Sequence, residues 1–224
     1  MPRKTIEESK TTRKKIIDCA YRLFTRRGFE RTSLTDVAKY AGVTRGGVYW
    51  HFENKENLLT AVIEETELNH GYMNLLQEAG SPDESEPLKK LKQCINMMVS
   101  DPLTEFINSK FVTMIIGIKN GFSGGKELRE RLNQVSSKRD TMIKNALINC
   151  VTKGQLPADL NVDVALEHLA IFITGYFFQT RTNQTVLISS RFDYVIDKEF
   201  EIIKTLTKDV FSSSSEKTKN HQQS

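Results

Sequence analysis

Residues 32–55, TSLTDVAKYAGVTRGGVYWHFENK, decide the fold because they carry the start and stop signals of two short helices. Ser33 is a favourable N-cap for a first helix over 34–41, and Gly42 tolerates the positive φ at which many helices end. Thr44 is a second N-cap that opens the next helix. Helix, short glycine-containing turn and helix make the helix-turn-helix pattern, whose second helix enters the major groove of DNA.

The second predicted helix, over 45–52, carries the side chains suited to DNA. Arg45 lies in its first turn, where a guanidinium pairs with guanine or with a phosphate. Gly46 and Gly47 are poor helix formers, but their lack of a side chain allows a close approach to the duplex. Tyr49, Trp50 and His51 add hydrogen-bond donors and flat rings, and Lys55 is placed to meet a phosphate. The alternative is an ordinary helical hairpin with solvated polar residues.

The surrounding sequence resembles one family. Residues 42–59, GVTRGGVYWHFENKENLL, resemble the recognition segment of the TetR/AcrR family of bacterial repressors. The stretch from Ile16 to Phe29 is similar to that family's first helix. Gly154 to Pro157, followed by an aromatic-rich helix, resembles the late segment of its multidrug-efflux repressors.

The resemblance implies roles for individual positions. Arg45 and Tyr49 would read the operator, with Gly46 at the point of approach, while Gly47 departs from the alanine or serine expected there. The other DNA-binding candidates would hold phosphates or add backbone contacts: Thr32, Ser33, Thr44, Trp50, His51 and Lys55.

Charge and cysteine usage limit the class of protein. Residues 1–60 carry 13 Lys and Arg against 7 Asp and Glu, a net of +6, whereas the remainder is −2. Basic charge is therefore concentrated where the helix-turn-helix lies, as phosphate binding requires, although a solvated basic face would have the same composition. Cys19, Cys94 and Cys150 are too far apart to indicate a metal site or a disulfide framework, and a redox role stays open. We expect a cytoplasmic protein without membrane spans.

Hydrophobic periodicity predicts an all-α fold of about nine helices. The residues before Thr11 are expected to form a mobile arm, one long helix is expected from Lys55 to about Glu78, and no strand-like alternation occurs. The predicted domains are an N-terminal DNA-binding domain over 1–55 with its motif at 33–52, a helical effector-binding and dimerisation domain over 56–211, and a disordered tail over 212–224.

The late helices and the apolar body suggest two partners besides operator DNA. Helices over 162–180 and 193–211 can form a four-helix homodimer interface, which is where the resembling family dimerises. The body is rich in apolar residues with few polar groups, as in a pocket for a small hydrophobic or amphipathic effector. The resemblance to multidrug repressors implies that four residues lie near the ligand: Asn108, Phe111, Thr174 and Phe178. Met114 is a further candidate, because methionine suits varied ligand shapes. A filled core is the alternative reading for each of them.

Two further alternatives concern chemistry and signal. The four histidines show no metal-binding spacing and no nucleophile motif is present, so we predict no enzyme activity, no metal and no cofactor. The body would instead bind an effector that releases the repressor from the genes of a multidrug efflux pump. A single metabolite or acyl signal remains the alternative effector, because sequence does not show the size of a pocket.

Overall fold

The computed structural model describes residues 6–69, 71–100, 102–182 and 191–209, and these form an all-α fold of ten helices. The predicted tail over 212–224 lies outside the described residues. Within these ranges the only β pairing is a single antiparallel bridge between Leu160 and Thr207. The helices are α1 Ile6–Arg27, α2 Leu34–Ala41, α3 Arg45–His51, α4 Lys55–Asn69, α5 Tyr72–Ala79, α6 Pro87–Ser100, α7 Pro102–Lys119, α8 Lys126–Thr152, α9 Val162–Thr182 and α10 Phe192–Ile203.

The first helix begins earlier than the sequence predicted. α1 starts at Ile6, so residues 6–10 of the expected arm are helical, and the residues before Ile6 lie outside the described part of the chain. The hydroxyl of Thr11, a residue that could have capped a helix starting here, donates to the carbonyl of Glu7 at 2.9 Å, as a residue inside a helix does. Glu7 and Glu8 lie in the first turn, where negative charge favours the helix dipole.

The predicted helix from Lys55 to Glu78 is two helices, which raises the number from nine to ten. α4 ends at Asn69 and α5 begins after Gly71. Asn and Gly are both weak helix formers, so continuing apolar periodicity does not hold the helix together here. The Met97 Cε atom lies 3.3 Å from the point where a Cβ on Gly71 would stand, which shows how closely α6 packs against this glycine.

The last helix is shorter than predicted. α10 ends at Ile203, not at Phe211, because the backbone that follows pairs with the segment before α9. The Asn161 amide donates to the carbonyl of Leu206 at 2.8 Å, and the Lys208 amide donates to the carbonyl of Asp159 at 3.0 Å. The apolar residue at 206 therefore belongs to this pairing and does not extend α10.

A first compact unit contains the described residues within 1–70 and 102–137. α1 to α4 enclose a core that is completed by side chains of α7 and of the first half of α8. The rings of Tyr21 and Phe111 lie 5.0 Å apart, and the Gly124 amide donates to the Glu30 carboxylate at 3.1 Å. The predicted helix-turn-helix is thus part of a larger core than residues 1–55 alone supply.

A second compact unit contains the described residues within 71–101 and 138–224. Its core joins α5, α6, the second half of α8, α9 and α10. The buried Asn149 amide donates to the carbonyls of Ala79 at 2.9 Å and Ser81 at 2.7 Å, while His168 of α9 hydrogen-bonds with Glu199 of α10. The two compact units are defined by packing and not by function. The functional division at residues 55 and 56 stays a prediction.

Candidate nucleic-acid interface

α2 begins with a capping box. The Ser33 hydroxyl accepts from the Asp36 amide at 3.1 Å, and the Ser33 amide donates to the Asp36 carboxylate at 2.9 Å. Hydrogen bonds from the Ser33 hydroxyl, and then from its backbone amide, hold the pKa of the Asp36 carboxyl below its usual value. Both residues are therefore occupied in fixing the start of α2.

The turn between α2 and α3 is fixed at both sides. Gly42 adopts φ 63° and ψ 36°, the left-handed conformation that favours glycine. The Val43 amide then donates to the carbonyl of Ala38 at 3.0 Å, which closes the end of α2. Thr44 caps α3, since its hydroxyl oxygen accepts from the Gly47 amide at 3.0 Å. The two N-caps and the glycine turn are thus confirmed.

α3 has one buried and one exposed face. Val48 is fully buried in the core of the first unit, whereas Arg45, Gly46, Tyr49 and Trp50 are exposed on the other side. The Arg45 guanidinium carbon lies 5.4 Å from the Tyr49 ring centroid, which favours one placement of this long side chain. Trp50 is 72% exposed, so its indole stands in solvent on this face of α3.

The two glycines of α3 differ in their surroundings. A Cβ added at Gly46 would meet no atom within 4 Å, so this position opens to solvent on the exposed face. A Cβ added at Gly47 would lie 3.2 Å from the Thr44 hydroxyl oxygen, which is the atom that caps the helix. Gly46 therefore leaves the helix backbone open on the exposed face, and Gly47 leaves room for the cap.

Two predicted contacts have partners within the protein. The Lys55 ammonium donates to the carbonyl of Phe29 at 2.9 Å and lies 4.2 Å from the centroid of that ring. Thr32 is 1% exposed, and its hydroxyl donates to the carbonyl of Gly28 at 2.9 Å. Both side chains stabilise the loop between α1 and α2, and the phosphate role of Lys55 stays a prediction.

His51 and Arg13 complete the surroundings of α3. The His51 ring contacts Trp50 edge to face, with centroids 4.6 Å apart. Arg13 of α1, which the sequence pattern did not single out, places its guanidinium carbon 5.2 Å from the ring centroid of Phe52, the residue after α3. The sequence shows Arg13 as a cation one turn before the apolar stripe of α1. It does not show that the guanidinium would lie over the ring of Phe52.

Three of the five predicted effector residues have side chains that the structure describes, and these three belong to different compact units. Phe111 is buried and Met114 is half-buried in the core of the first unit, while Thr174 is exposed on α9 in the second. The side chains of Asn108 and Phe178 lie outside the described residues. Their role in ligand binding stays a prediction.

The second unit has a cavity of about 560 Å³ between α6 and α10. None of the five predicted effector residues lines it. Its walls carry several charged and amide groups, among them Lys89, Lys92, Gln93, Asn96, Asp193 and Asp197. Lys92 and Asp197 form an ion pair across it at 2.6 Å, so this cavity differs from the apolar effector pocket that the sequence predicted.

Other kinds of site receive no support from the described residues. Within them, no group of three or more histidine, cysteine or acidic side chains is close enough to hold a metal ion. Over the same ranges, no helix has the length and apolar character needed to cross a membrane.

Comparison with known proteins identifies the family. The TetR_N family, described as bacterial regulatory proteins of the tetR family, matches residues 16–62. The HTH-type transcriptional regulator TtgR of Pseudomonas putida is 37% identical over 180 residues, which cover 78% of this chain and 82% of that protein. The HTH-type transcriptional regulator AcrR of Shigella flexneri is 34% identical over 177 residues, covering 79% of each. These relatives are transcriptional regulators and not enzymes.

Solved structures share the fold. The SmeT–triclosan complex has a TM-score of 0.73 at 22% identity and covers 86% of this chain and 91% of that one. NalD of Pseudomonas aeruginosa has a TM-score of 0.65 at 23% identity, covering 91% and 99%. Identity at this level shows the fold alone, whereas the curated relatives are more than 30% identical over most of both chains. The chain therefore belongs to the TetR family of bacterial regulatory proteins.

Proposed function

We propose that the protein is a transcriptional repressor that binds a near-palindromic operator as a homodimer and that a small hydrophobic molecule releases it. The observation that carries this proposal is the exposed face of α3, which presents Arg45, Tyr49 and Trp50 on a helix capped by Thr44. A polar and aromatic face on a capped second helix of a helix-turn-helix suits the major groove.

The proposed contacts divide into base reading and phosphate binding. Arg45 and Tyr49 read base edges, with Gly46 allowing the close approach. Phosphates and backbone contacts are assigned to the remaining candidates: Thr32, Ser33, Thr44, Trp50, His51 and Lys55. Since Thr32 is buried and the Ser33 hydroxyl is in the capping box, their contribution would be the position of the α2 N-terminus near a phosphate.

Dimerisation through α9 and α10 is supported by exposed apolar side chains. Ile171 of α9 is 73% exposed, and Tyr194 and Ile202 of α10 are 66% and 46% exposed. The helix-turn-helix of one protomer contacts only a few base pairs, so a symmetric dimer presents two α3 helices to successive grooves. Aspartate at Ile171 or Tyr194 should shift light scattering towards the monomer. Ile6→Asp is the control, because Ile6 is 79% exposed outside these helices.

Control of a multidrug efflux pump is supported by named neighbours. NalD is the secondary repressor of the MexAB-OprM multidrug efflux pump, and SmeT forms a complex with triclosan. A drug that releases this protein from DNA must bind more tightly to the conformer in which the two α3 helices of the dimer are not spaced for successive major grooves. Its site would include Asn108, Phe111, Met114, Thr174 and Phe178.

The decisive test is a gel shift on the duplex flanking the gene and on an unrelated duplex. Arg45→Ala should weaken operator binding by about 1–3 kcal/mol, the value of a bidentate base contact, and leave the unrelated duplex nearly unchanged. Arg26→Ala, an exposed arginine in the last turn of α1, is the control for lost charge. Equal loss on both duplexes would contradict base reading by Arg45.

The effector is tested on the same protein–DNA complex. Amphipathic drugs, with triclosan as the first probe, should release the duplex in a concentration-dependent manner. Release by one metabolite or fatty acyl compound, with no response to any drug, would favour the alternative signal. A complex that no drug dissociates would leave efflux control without support.

A further inference from the structure

Arg13 of α1 is held beside the end of α3. Its guanidinium carbon lies 5.2 Å from the centroid of Phe52, and Phe52 is 3% exposed, so the ring is a fixed platform in the core. Phe52 is the C-cap residue of α3 and its amide donates to the carbonyl of Val48 at 2.9 Å. The position of Arg13 is thereby coupled to the reading helix although it belongs to another helix.

An arginine lies over an aromatic ring at each end of α3. Arg45 lies over Tyr49 at the start of the helix, and Arg13 lies over the ring that follows its end. A seven-residue helix is about 10 Å long, and the major groove of B-DNA is about 12 Å wide. A helix of this length that enters the groove brings its two ends close to the groove walls.

The Arg13 guanidinium keeps its hydrogen-bonding capacity. A cation above a ring face makes no hydrogen bond with the ring, so the five N–H donors stay available. Arg13 is exposed, and over the described ranges it has no carboxylate partner. Lys10 and Lys14, one turn before it and next to it, are also exposed and add positive charge to this part of α1. Such an arginine is suited to a bidentate contact with phosphate oxygens.

We propose that Arg13 binds a backbone phosphate on the wall of the groove that α3 enters, and that Phe52 sets its position. The contact is to a phosphate because Phe52 follows the last turn of α3, whereas base edges are met by the first turn. This inference rests on the proposed function, since it requires α3 to lie in a groove. It assigns to α1 a part in DNA binding and not only in supporting the motif.

The test compares Arg13→Gln with Arg26→Gln, which removes the same charge from the far end of the same helix. Fluorescence anisotropy would follow binding to a duplex selected by the wild-type protein from a random pool and to an unrelated duplex, over a series of salt concentrations. Each phosphate contact contributes about 0.9 to the slope of log K against log salt, so Arg13→Gln should lower the slope by about one per bound protomer. Binding to both duplexes should weaken by a similar factor, and Arg26→Gln should keep the wild-type slope.

Arg13→Lys separates the contact from protein stability. It keeps the charge, so it should retain most of the slope even where thermal melts show that Arg13→Gln is less stable. Equal slopes for Arg13→Gln and Arg26→Gln would overturn the inference, and so would loss of the slope in Arg13→Lys. A wild-type protein that binds no duplex would overturn the proposed function and this inference together, whereas intact wild-type binding with no effect of Arg13→Gln overturns the inference alone.

Discussion

Replacing Gly46 by alanine should make the protein more stable and its DNA binding weaker. The added methyl group meets no protein atom within 4 Å, so nothing in the chain resists it. Glycine within a helix is about 0.5–1 kcal/mol less favourable than alanine, and this position is in ordinary helical conformation. The gain should raise the melting temperature by about 1–4 °C for a chain of this size.

The same methyl group stands on the exposed face of α3. If this face lies against a duplex, the helix must move away by about the radius of a methyl group, and the contacts of Arg45 and Tyr49 lengthen with it. Loss of one good bidentate contact is worth about 1–3 kcal/mol, so the dissociation constant should rise by about one to two powers of ten. The two readouts, thermal melting and anisotropy, therefore move in opposite directions.

Gly47→Ala is the matched control, because it changes the neighbouring residue by the same methyl group. Its Cβ would lie 3.2 Å from the Thr44 hydroxyl oxygen, which must shift and weaken the cap. Since an N-cap contributes about 1 kcal/mol, the gain in helix propensity is offset and stability should change little. Wild-type DNA affinity in a stabilised Gly46→Ala variant would refute the close approach, and equal melting temperatures of the two variants would refute the packing argument.

Three further predictions concern the cap, the loop lysine and the thiols. Ser33→Ala should cost about 1 kcal/mol of unfolding free energy. Because the pKa of Asp36 is lowered in the folded protein, its ionised carboxylate stabilises the fold fully at neutral pH. This stabilisation is lost as the pH falls below 3.8, the ordinary value, and through the lowered pKa. The melting temperature of Ser33→Ala should therefore change less with pH in that range than the melting temperature of the wild type. Lys55→Ala removes the donor to the loop between α1 and α2. It should therefore lower the free energy of unfolding, measured by urea titration, by about 1 kcal/mol. Burial raises the pKa of Cys94 and of Cys150 to about 12, so iodoacetamide at pH 7 followed by mass spectrometry should leave both unlabelled until the chain is unfolded.

Local signals account for the part of the fold that sequence predicted well. An N-cap acts through hydrogen bonds three residues away, and Gly42 acts through its own φ. The boundaries of α2 and α3 therefore depend on side chains that lie inside the motif itself. For the same reason, helical spacing from one apolar position, Val48, indicates which residues of α3 are exposed.

The errors arose where distant residues decide the backbone. The end of α10 depends on pairing with residues 159–161, more than 40 positions away, and no local pattern contains that information. The break between α4 and α5 lies where two weak helix formers, Asn69 and Gly71, interrupt a continuing apolar stripe. The phosphate contact predicted for Lys55 stays a prediction, but local sequence also gave no sign that its ammonium donates to the carbonyl of Phe29, 26 residues earlier.

The core of the first unit has a consequence for anyone who exchanges parts between regulators. Side chains of α7 and α8, among them Phe111, Ile118 and Leu132, complete the packing of α1 to α4. In a chimera joined after α4, the apolar side chains of α1 to α4 would pack against helices of another regulator with a different shape. The compact unit that contains the helix-turn-helix is thus discontinuous in the chain, and residues 102–137 must be transferred with the first 70 to keep its packing.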